Sequence, residues 1–321
     1  MNEQLMRVTT HPATAEVMTC GAAEKNPALV YLASLAPSGR RTMAGKLTAV
    51  AFLSGRRFRE MEWAAMKFEH VAAWRALLQQ HNLAPASVNA ALSALRGVAR
   101  AAWHMGMMTA EDCQRIAAVK NVRGERLPAG RALSRSEVAA LFDACACDET
   151  AAGARDAALL ALLIGAGLRR SEVAALSLGD YDAADGALRV SGKGNKQRLV
   201  YITGGAAVAL NDWVRARTDA GGSLICPVLK SGAVQLRGMT AEAIYRALIK
   251  RAGEARVAHF SPHDLRRTFV SELLDAGADI SSVQKLAGHA SVSTTARYDR
   301  RGEVAKRKAA EMVHVPCRPR I

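Results

Sequence analysis

The chain has 321 residues, half of them hydrophobic, and carries a formal net charge of +15 from 44 basic and 29 acidic side chains. This length suffices for one large domain or two ordinary ones. Residues 1–130 hold 16 basic and 9 acidic side chains, and residues 131–321 hold 28 basic and 20 acidic ones, so the positive charge is distributed over both parts of the chain. That distribution favours a polyanionic partner such as nucleic acid, although charge alone leaves open a basic protein without one.

The composition also limits the function classes. The six cysteines are scattered, and none shows the paired Cys or Cys/His spacing of a zinc site, so we expect free thiols and no metal. The longest apolar run, 157–168, is too short to span a bilayer, and the N-terminus lacks a signal-peptide pattern. We therefore expect a cytoplasmic protein.

Helical patterns start after residues 1–25, which show no clear periodicity and are expected to be loosely ordered. Asn26 is a good N-cap and is followed by proline at the first helical position. Pro37-Ser38-Gly39 is expected to break the first helix. Helices are predicted over 28–35, 42–53, 68–80 and 85–105.

The helix over 85–105 has the clearest pattern, and Gly106 follows it as a C-terminal stop. Arg96 and Arg100 share a second face, which either follows DNA phosphates or is an ordinary solvated surface. Apolar residues recur at steps of three and four and form one stripe. The stripe consists of Val88, Leu92, Leu95, Ala99 and Ala102.

Residues 120–131 combine Gly, Pro and many charges without an apolar period, which is typical of an interdomain linker. Ser134 and Glu137 then form a capping box that opens a new helix. The sequence therefore predicts a helical N-terminal domain over 26–119 and a second domain over 132–321.

The second domain mixes helices with two short strands. Helices are predicted over 154–165 and from about 171 to 176, followed by strands over 188–190 and 198–202. A glycine-rich turn, 191–197, joins the strands as a hairpin, and the remainder has mostly helical patterns. The expected fold class is mainly α with a small antiparallel sheet (α+β).

Two segments of this domain gather groups that could bind an anion. His263 and Arg266 lie one turn apart near a helix start capped by Ser261, where free N–H groups and the helix dipole also favour negative charge. Arg169 follows Gly167 where one helix ends and the next begins. By itself, each segment is equally compatible with a capped helix that carries a surface arginine.

Tyr298 lies nine residues after His289, which directly follows Gly288, the predicted left-handed terminator of a helix that Asp279 caps. A tyrosine has an ordinary pKa of about 10, so it needs a cationic pocket and a proton acceptor to act as a nucleophile near pH 7. A partly buried structural tyrosine is the alternative. Lys193, between two glycines, is either a solvated hairpin lysine or part of the same chemistry.

The order and spacing of these segments resemble the tyrosine recombinase, or phage integrase-like, family, and most of all its Xer-type members. The resemblance runs from about residue 26 to the end, and the helix over 85–105 is similar to the family's core-binding (SAM-like) module. The matching blocks are Gly167–Glu172, Gly192–Gly194, His263–Phe269, Leu286–His289 and Tyr298.

The resemblance implies a role for each matched residue. Tyr298 attacks the scissile phosphate to give a 3′-phosphotyrosine and a free 5′-hydroxyl. Arg169 and Arg266 bind the non-bridging oxygens, and His289 adds a third contact. Lys193 protonates the leaving oxygen, and His263 takes the tyrosine proton.

Four further arginines and one glutamate complete the expected site. Glu172 occupies a supporting position, and Arg170 competes with Arg169 for the phosphate, with Arg169 preferred by register. No metal, cofactor or ATP is implied. The arginines expected to contact DNA outside the scissile phosphate are Arg96, Arg100, Arg170 and Arg267.

As a whole, the resemblance implies a site-specific recombinase that acts on double-stranded DNA. Four protomers would exchange strands through a Holliday junction, alone or with a second recombinase or accessory protein, and the basic tail after Tyr298 would either dock on a neighbouring protomer or form a solvated surface. The alternatives are a type IB topoisomerase, which shares the chemistry, and a non-catalytic DNA-binding regulator on the same scaffold.

Overall fold

The computed structural model describes residues 26–124, 130–192, 197–218, 220–289, 291–296, 298 and 310. The chain divides into two compact units, Met1–Pro128 and Ala129–Ile321, and the division falls inside the segment predicted as a linker. The expectations for residues 1–25 and for the basic tail lie outside the described residues.

The described part of the first unit is helical. Two short 3₁₀ turns, Phe58–Glu60 and Trp63–Ala65, lie between its second and third helices. Its helices are α1 (Pro27–Ala33), α2 (Pro37–Leu53), α3 (Phe68–Gln80), α4 (Pro85–His104) and α5 (Ala110–Ala117).

Helix α4 is the centre of this unit, and the other four helices pack against it. All five members of its predicted apolar stripe are fully buried, which confirms the stripe as the core-facing side. Gly106 ends the helix region with a φ of +69°, a left-handed conformation that glycine adopts without a steric penalty.

Two boundaries in the first unit differ from the prediction. The first helix ends before Pro37, as expected, but α2 begins at Pro37 itself and not at residue 42, because a proline in the first turn has no N–H to leave unpaired and a φ that suits the helix. Helix α5 was not predicted. Thr109 begins it by accepting a hydrogen bond from the backbone N–H of Asp112 at 3.1 Å.

The second unit combines helices with one small sheet. A π turn, Ala161–Gly165, extends its second helix. Its helices are α6 (Arg135–Ala146), α7 (Ala151–Leu160), α8 (Arg170–Ala175), α9 (Gly204–Arg217), α10 (Ala241–Glu254), α11 (Pro262–Asp275), α12 (Ile280–Ala287) and α13 (Val292–Ala296). Its strands are β1 (Tyr181–Asp182), β2 (Ala187–Ser191) and β3 (Gln197–Tyr201).

The sheet is antiparallel in the order β1-β2-β3, with Leu188 opposite Val200 and Val190 opposite Arg198. Side chains alternate between faces, so Leu188, Val190 and Val200 are buried against the helices while Leu199 is exposed. Arg198 lies on the same face as these buried residues. The hairpin was predicted, and the short strand β1 was not.

The fold class is confirmed, because the described chain is mainly helical with one small antiparallel sheet. Among the described residues, no helix is both long and apolar enough to cross a bilayer.

The packing of α7 generates a stability prediction. A Cβ at Gly153 would lie 1.9 Å from the carbonyl oxygen of Asp148, a backbone atom that cannot move aside cheaply. We expect Gly153→Ala to lower the free energy of unfolding by about 1–3 kcal/mol in urea titrations. Gly253, exposed on α10 with open space around it, is the matched control. Gly253→Ala should raise the free energy of unfolding by up to about 1 kcal/mol, and equal effects of the two changes would contradict the packing.

Candidate active site

The start of helix α11 positions the first two site residues. Asp264 accepts hydrogen bonds from the backbone N–H and the hydroxyl of Ser261, both at 2.9 Å, which fixes the first turn. Its other carboxylate oxygen accepts from the backbone N–H of Arg131 at 3.1 Å. With the first turn fixed in this way, His263 and Arg266 project from it one turn apart, as predicted.

His263 contacts the predicted nucleophile directly. Its Nε2 lies 3.0 Å from the hydroxyl oxygen of Tyr298. Burial lowers the pKa of the imidazole below its ordinary 6.5, and the nearby charges of Arg266 and Arg267 lower it further. The ring is therefore neutral at pH 7 and can accept the hydroxyl proton.

Arg266 is buried, with 2% of its surface exposed. One guanidinium nitrogen donates to the carbonyl of Gly167 at 2.6 Å, and the other donates to the carbonyl of Ala287. Burial lowers its pKa to about 10, and repulsion from Arg169 adds to the effect, so the side chain still carries its charge at neutral pH.

Arg169 joins this cluster, whereas Arg170 points elsewhere. Arg169 donates to Glu172 at 2.8 Å and to the carbonyl of Gly288 at 3.0 Å. Arg170 lies over the ring of Tyr245, 5.5 Å from its centroid. Because Arg169 is the last residue before α8, its side chain leaves the chain on the side of Glu172, one turn further on.

His289 is placed by the left-handed turn at Gly288, whose φ is +62°. The ring stacks on Tyr298 with centroids 5.9 Å apart, and its Nδ1 lies 2.9 Å from the hydroxyl of Thr295. Burial and the charges of Arg266 and Arg169 lower the pKa of His289 to about 4. This imidazole is neutral at pH 7.

Tyr298 is half-buried among these groups. Besides the two histidines, Arg267 lies against it, with the guanidinium carbon 5.3 Å from the ring centroid. Arg267 is itself buried and donates to the carbonyl of Gly130 at 3.2 Å, and its expected contact with DNA stays a prediction.

Glu172 holds two arginines at once. Its carboxylate, 5% exposed, accepts from Arg169 and takes two hydrogen bonds from Arg198 at 3.0 and 2.9 Å. Burial opposes ionisation, but the hydrogen bonds from Arg198 and from the backbone and side chain of Arg169 outweigh it and lower the pKa of Glu172 to about 2.

Sequence reasoning missed Arg198. The signal was present, since alternation places residue 198 on the same face of β3 as the apolar Val200, and an arginine on a buried face requires an acidic partner. Lys193 lies outside the described residues, so its predicted role stays a prediction.

The other two predicted DNA-binding arginines lie in the first unit. Arg96 donates to the carbonyl of Val119 at 2.5 Å and to the side chain of Asn121 at 3.0 Å, which ties α4 to the segment after α5. Arg96 thus helps to hold the unit together, and its expected contact with DNA stays a prediction. Arg100 is exposed and lines a shallow concavity of about 400 Å³ with Tyr31.

The arrangement concentrates fixed positive charge and two neutral imidazoles around one hydroxyl. Backbone carbonyls and Glu172 hold the arginines in place before any ligand arrives. Such a site binds an anion and favours a reaction in which negative charge develops next to Tyr298.

Comparison with known proteins points to one family. Residues 131–303 match the model of the phage integrase family. A tyrosine recombinase XerC of Pelobacter propionicus is 35% identical over 213 residues, which covers 64% of this chain and 66% of that protein, slightly under two-thirds of its length. A XerC of Pseudomonas putida (strain F1) is 33% identical over 240 residues, covering 74% of this chain and 77% of the relative.

A solved structure shows the same fold. A lambda integrase tetramer bound to a Holliday junction superposes with a TM-score of 0.60 at 16% sequence identity, covering 88% of this chain and 77% of that chain. At this identity the likeness concerns the fold alone.

The environment of Glu172 predicts an acid-dependent stability. Its pKa of about 2 lies below the ordinary value of 4.5, so its ion pairs stabilise the folded state fully above about pH 4.5, and that stabilisation is lost as the pH falls towards 2. Glu172→Gln should lower the free energy of unfolding by about 3–5 kcal/mol at pH 7, with a deficit that shrinks below about pH 4.5.

The control for this measurement is Asp212→Asn, which removes an exposed ion pair with Arg215 on α9. That change should alter the free energy of unfolding by less than about 1 kcal/mol at any pH. A Glu172→Gln deficit that stays constant from pH 7 to pH 3 would contradict the assignment.

Proposed function

This chain belongs to the phage integrase family, and we propose that it is a site-specific DNA recombinase that cuts and rejoins strands through a phosphotyrosine at Tyr298. The observation that carries the proposal is the 3.0 Å contact between the Tyr298 hydroxyl and the neutral Nε2 of His263, beside buried Arg266. A nucleophile, its proton acceptor and a fixed cation are thereby in one place.

The proposed step is a transesterification. The Tyr298 oxygen attacks the scissile phosphorus while its proton passes to His263 Nε2, the new bond is a 3′-phosphotyrosine, and the bond to the 5′-oxygen breaks. The 5′-oxygen leaves as a hydroxyl after receiving a proton from Lys193, the role that the family motif implies. Attack by a 5′-hydroxyl on the phosphotyrosine reverses the step, so the bond energy is conserved without ATP.

We assign stabilisation of the transition state to Arg169, Arg266 and His289. The pentavalent phosphorus carries more negative charge on its non-bridging oxygens than the ground state does, and fixed cations and donors lower its energy selectively. Arg169 is 43% exposed, so it can meet the phosphate directly. Arg266 is buried, so it adds positive charge from the inner side of Arg169.

The proposed substrate is double-stranded DNA at a specific site. The lambda integrase with this fold is a tetramer bound to a Holliday junction, and we propose a tetramer of this chain on paired sites, with a second recombinase as the alternative partner. Arg100 and Arg170 remain proposed contacts to DNA away from the scissile phosphate. We place the protein in the cytoplasm, at the nucleoid, because its proposed substrate is there.

Two other functions are compatible with parts of this site. A type IB topoisomerase would use the same chemistry, and a regulator would use the same scaffold without chemistry. Curated relatives named as recombinases favour recombination. Incubation with a plasmid that carries two copies of the target site separates the first alternative, because recombination yields products of defined length and a topoisomerase only relaxes supercoils.

The nucleophile is tested by trapping on a nicked suicide duplex, which releases a short 5′-hydroxyl strand and so prevents rejoining. The wild type should form a covalent protein–DNA adduct, and Tyr298→Phe should form none while binding DNA within about threefold of wild type. Tyr245→Phe, a change to another tyrosine of the same unit, should leave adduct formation intact. An undiminished adduct with Tyr298→Phe would refute the assignment.

The role of His263 predicts a pH dependence. Because its folded pKa lies below 6.5, the ring is a competent acceptor at pH 7 and loses that capacity as the pH falls through the folded value. The single-turnover cleavage rate of wild type should therefore decline on acidification. His263→Gln should cleave about 10²–10⁴-fold more slowly and lose this dependence.

The control for the pH profile is His259→Gln, which alters an exposed histidine four residues earlier. It should retain both the rate and the acid limb of wild type. A His263→Gln variant with an unchanged acid limb would show that another group accepts the proton.

A further inference from the structure

Arg198 is the most completely engaged arginine near the proposed active site. Both of its terminal nitrogens bind the carboxylate of Glu172, at 3.0 and 2.9 Å, and its Nε donates to the carbonyl of Leu286 at 3.2 Å. One planar guanidinium thus joins three elements, the strand β3, the start of α8 and the end of α12.

The carbonyl that Arg198 binds is one of three in a row. Leu286, Ala287 and Gly288 end helix α12, and their carbonyls accept from Arg198, Arg266 and Arg169 respectively. The last carbonyls of a helix have no partner within the helix and carry its negative dipole end. The end of α12 therefore acts as a fixed row of acceptors that aligns three like charges.

Exposure distinguishes the roles of the two arginines that bind Glu172. The side chain of Arg198 is 14% exposed and that of Arg169 is 43% exposed, while both bind the same carboxylate. Arg169 can therefore meet an incoming phosphate, whereas Arg198 is turned inward, with each of its three nitrogens bonded to Glu172 or to the carbonyl of Leu286.

We propose that Arg198 is a positioning residue for strand cleavage, which holds Glu172 and through it Arg169 in the orientation that binds the scissile phosphate. This inference rests on the proposed recombinase function. Without Arg198, Glu172 would keep Arg169 as its only side-chain ion-pair partner within the described residues, and the carboxylate could rotate with it. A displacement of about 1 Å at a reacting centre costs on the order of 10² in rate.

The geometry explains why this residue is an arginine. A lysine places one ammonium at the end of a flexible chain, so it supplies the charge but cannot make two parallel bonds to a carboxylate and a third to a carbonyl. Arg198→Lys therefore separates charge from geometry, and Arg198→Met removes both.

The alternative is that Arg198 only holds the fold together. Arg251 has that role elsewhere in the same unit, where it is buried and binds Asp148, Asp156 and Glu254, none of which contributes to the site. Arg251→Lys is therefore the matched control for the loss of a buried arginine network.

The experiment measures three quantities for each variant, the DNA affinity, the single-turnover cleavage rate per folded molecule on the suicide duplex, and the midpoint of urea unfolding. Arg198→Lys and Arg198→Met should bind DNA within about threefold of wild type and cleave about 10–10²-fold more slowly. Arg251→Lys should unfold at lower urea but cleave at the wild-type rate per folded molecule.

A double-mutant cycle tests the route through Glu172. If Arg198 acts through this carboxylate, Arg198→Lys combined with Glu172→Gln should cleave no more slowly than the slower single variant. If the double variant loses cleavage rate by the product of the two single losses, the proposed route through Glu172 is overturned. If folded Arg198→Lys cleaves at the wild-type rate, the inference as a whole is overturned.

The result for the wild type in the same assay distinguishes failure of the recombinase function from failure of the positioning role of Arg198. If it forms no adduct at all, the recombinase function fails and this inference fails with it. If it forms the adduct and folded Arg198→Lys cleaves at its rate, the function stands and only the positioning role is refuted.

Discussion

The central physical constraint on this molecule is repulsion between the arginines of one site. Arg169, Arg198 and Arg266 converge on the end of α12, and two of them are largely buried. Three like charges at this spacing stay together only because Glu172 pairs two of them and three consecutive carbonyls accept from all of them. The site is thus assembled from α8, β3, α11 and α12 before any ligand binds, and its excess positive charge is available to a phosphate.

The same charges decide the state of the histidines. His289 is buried and His263 is partly desolvated, and both lie beside permanent cations, so protonating either would add another like charge, and both pKa values fall. The site therefore divides into groups that stay charged and groups that stay neutral near pH 7. Attack by a tyrosine hydroxyl on a phosphodiester needs both kinds, since the cations stabilise the transition state and a neutral imidazole can take the proton.

Much of this could be predicted from sequence because local rules specify it. The apolar stripe of α4, the cap at Ser261 and the left-handed Gly288 follow from periodicity and backbone sterics within a few residues. Arg198 and Thr295 could not be placed in the same way, because their partners lie on other segments or depend on how a short helix packs. The choice of Arg169 over Arg170 depended on register, and the different partners of the two side chains, the end of α12 for Arg169 and the ring of Tyr245 for Arg170, depend on packing that register alone does not give.

The most direct test of the account is to map the covalent adduct formed with a suicide duplex whose two strand ends beside the nick carry different labels. Protease digestion and mass spectrometry should identify one modified peptide, with Tyr298 joined to a 3′-phosphate and the released strand ending in a 5′-hydroxyl. Attachment to any other residue, or to a 5′-phosphate, would contradict the mechanism that the contact between Tyr298 and His263 supports.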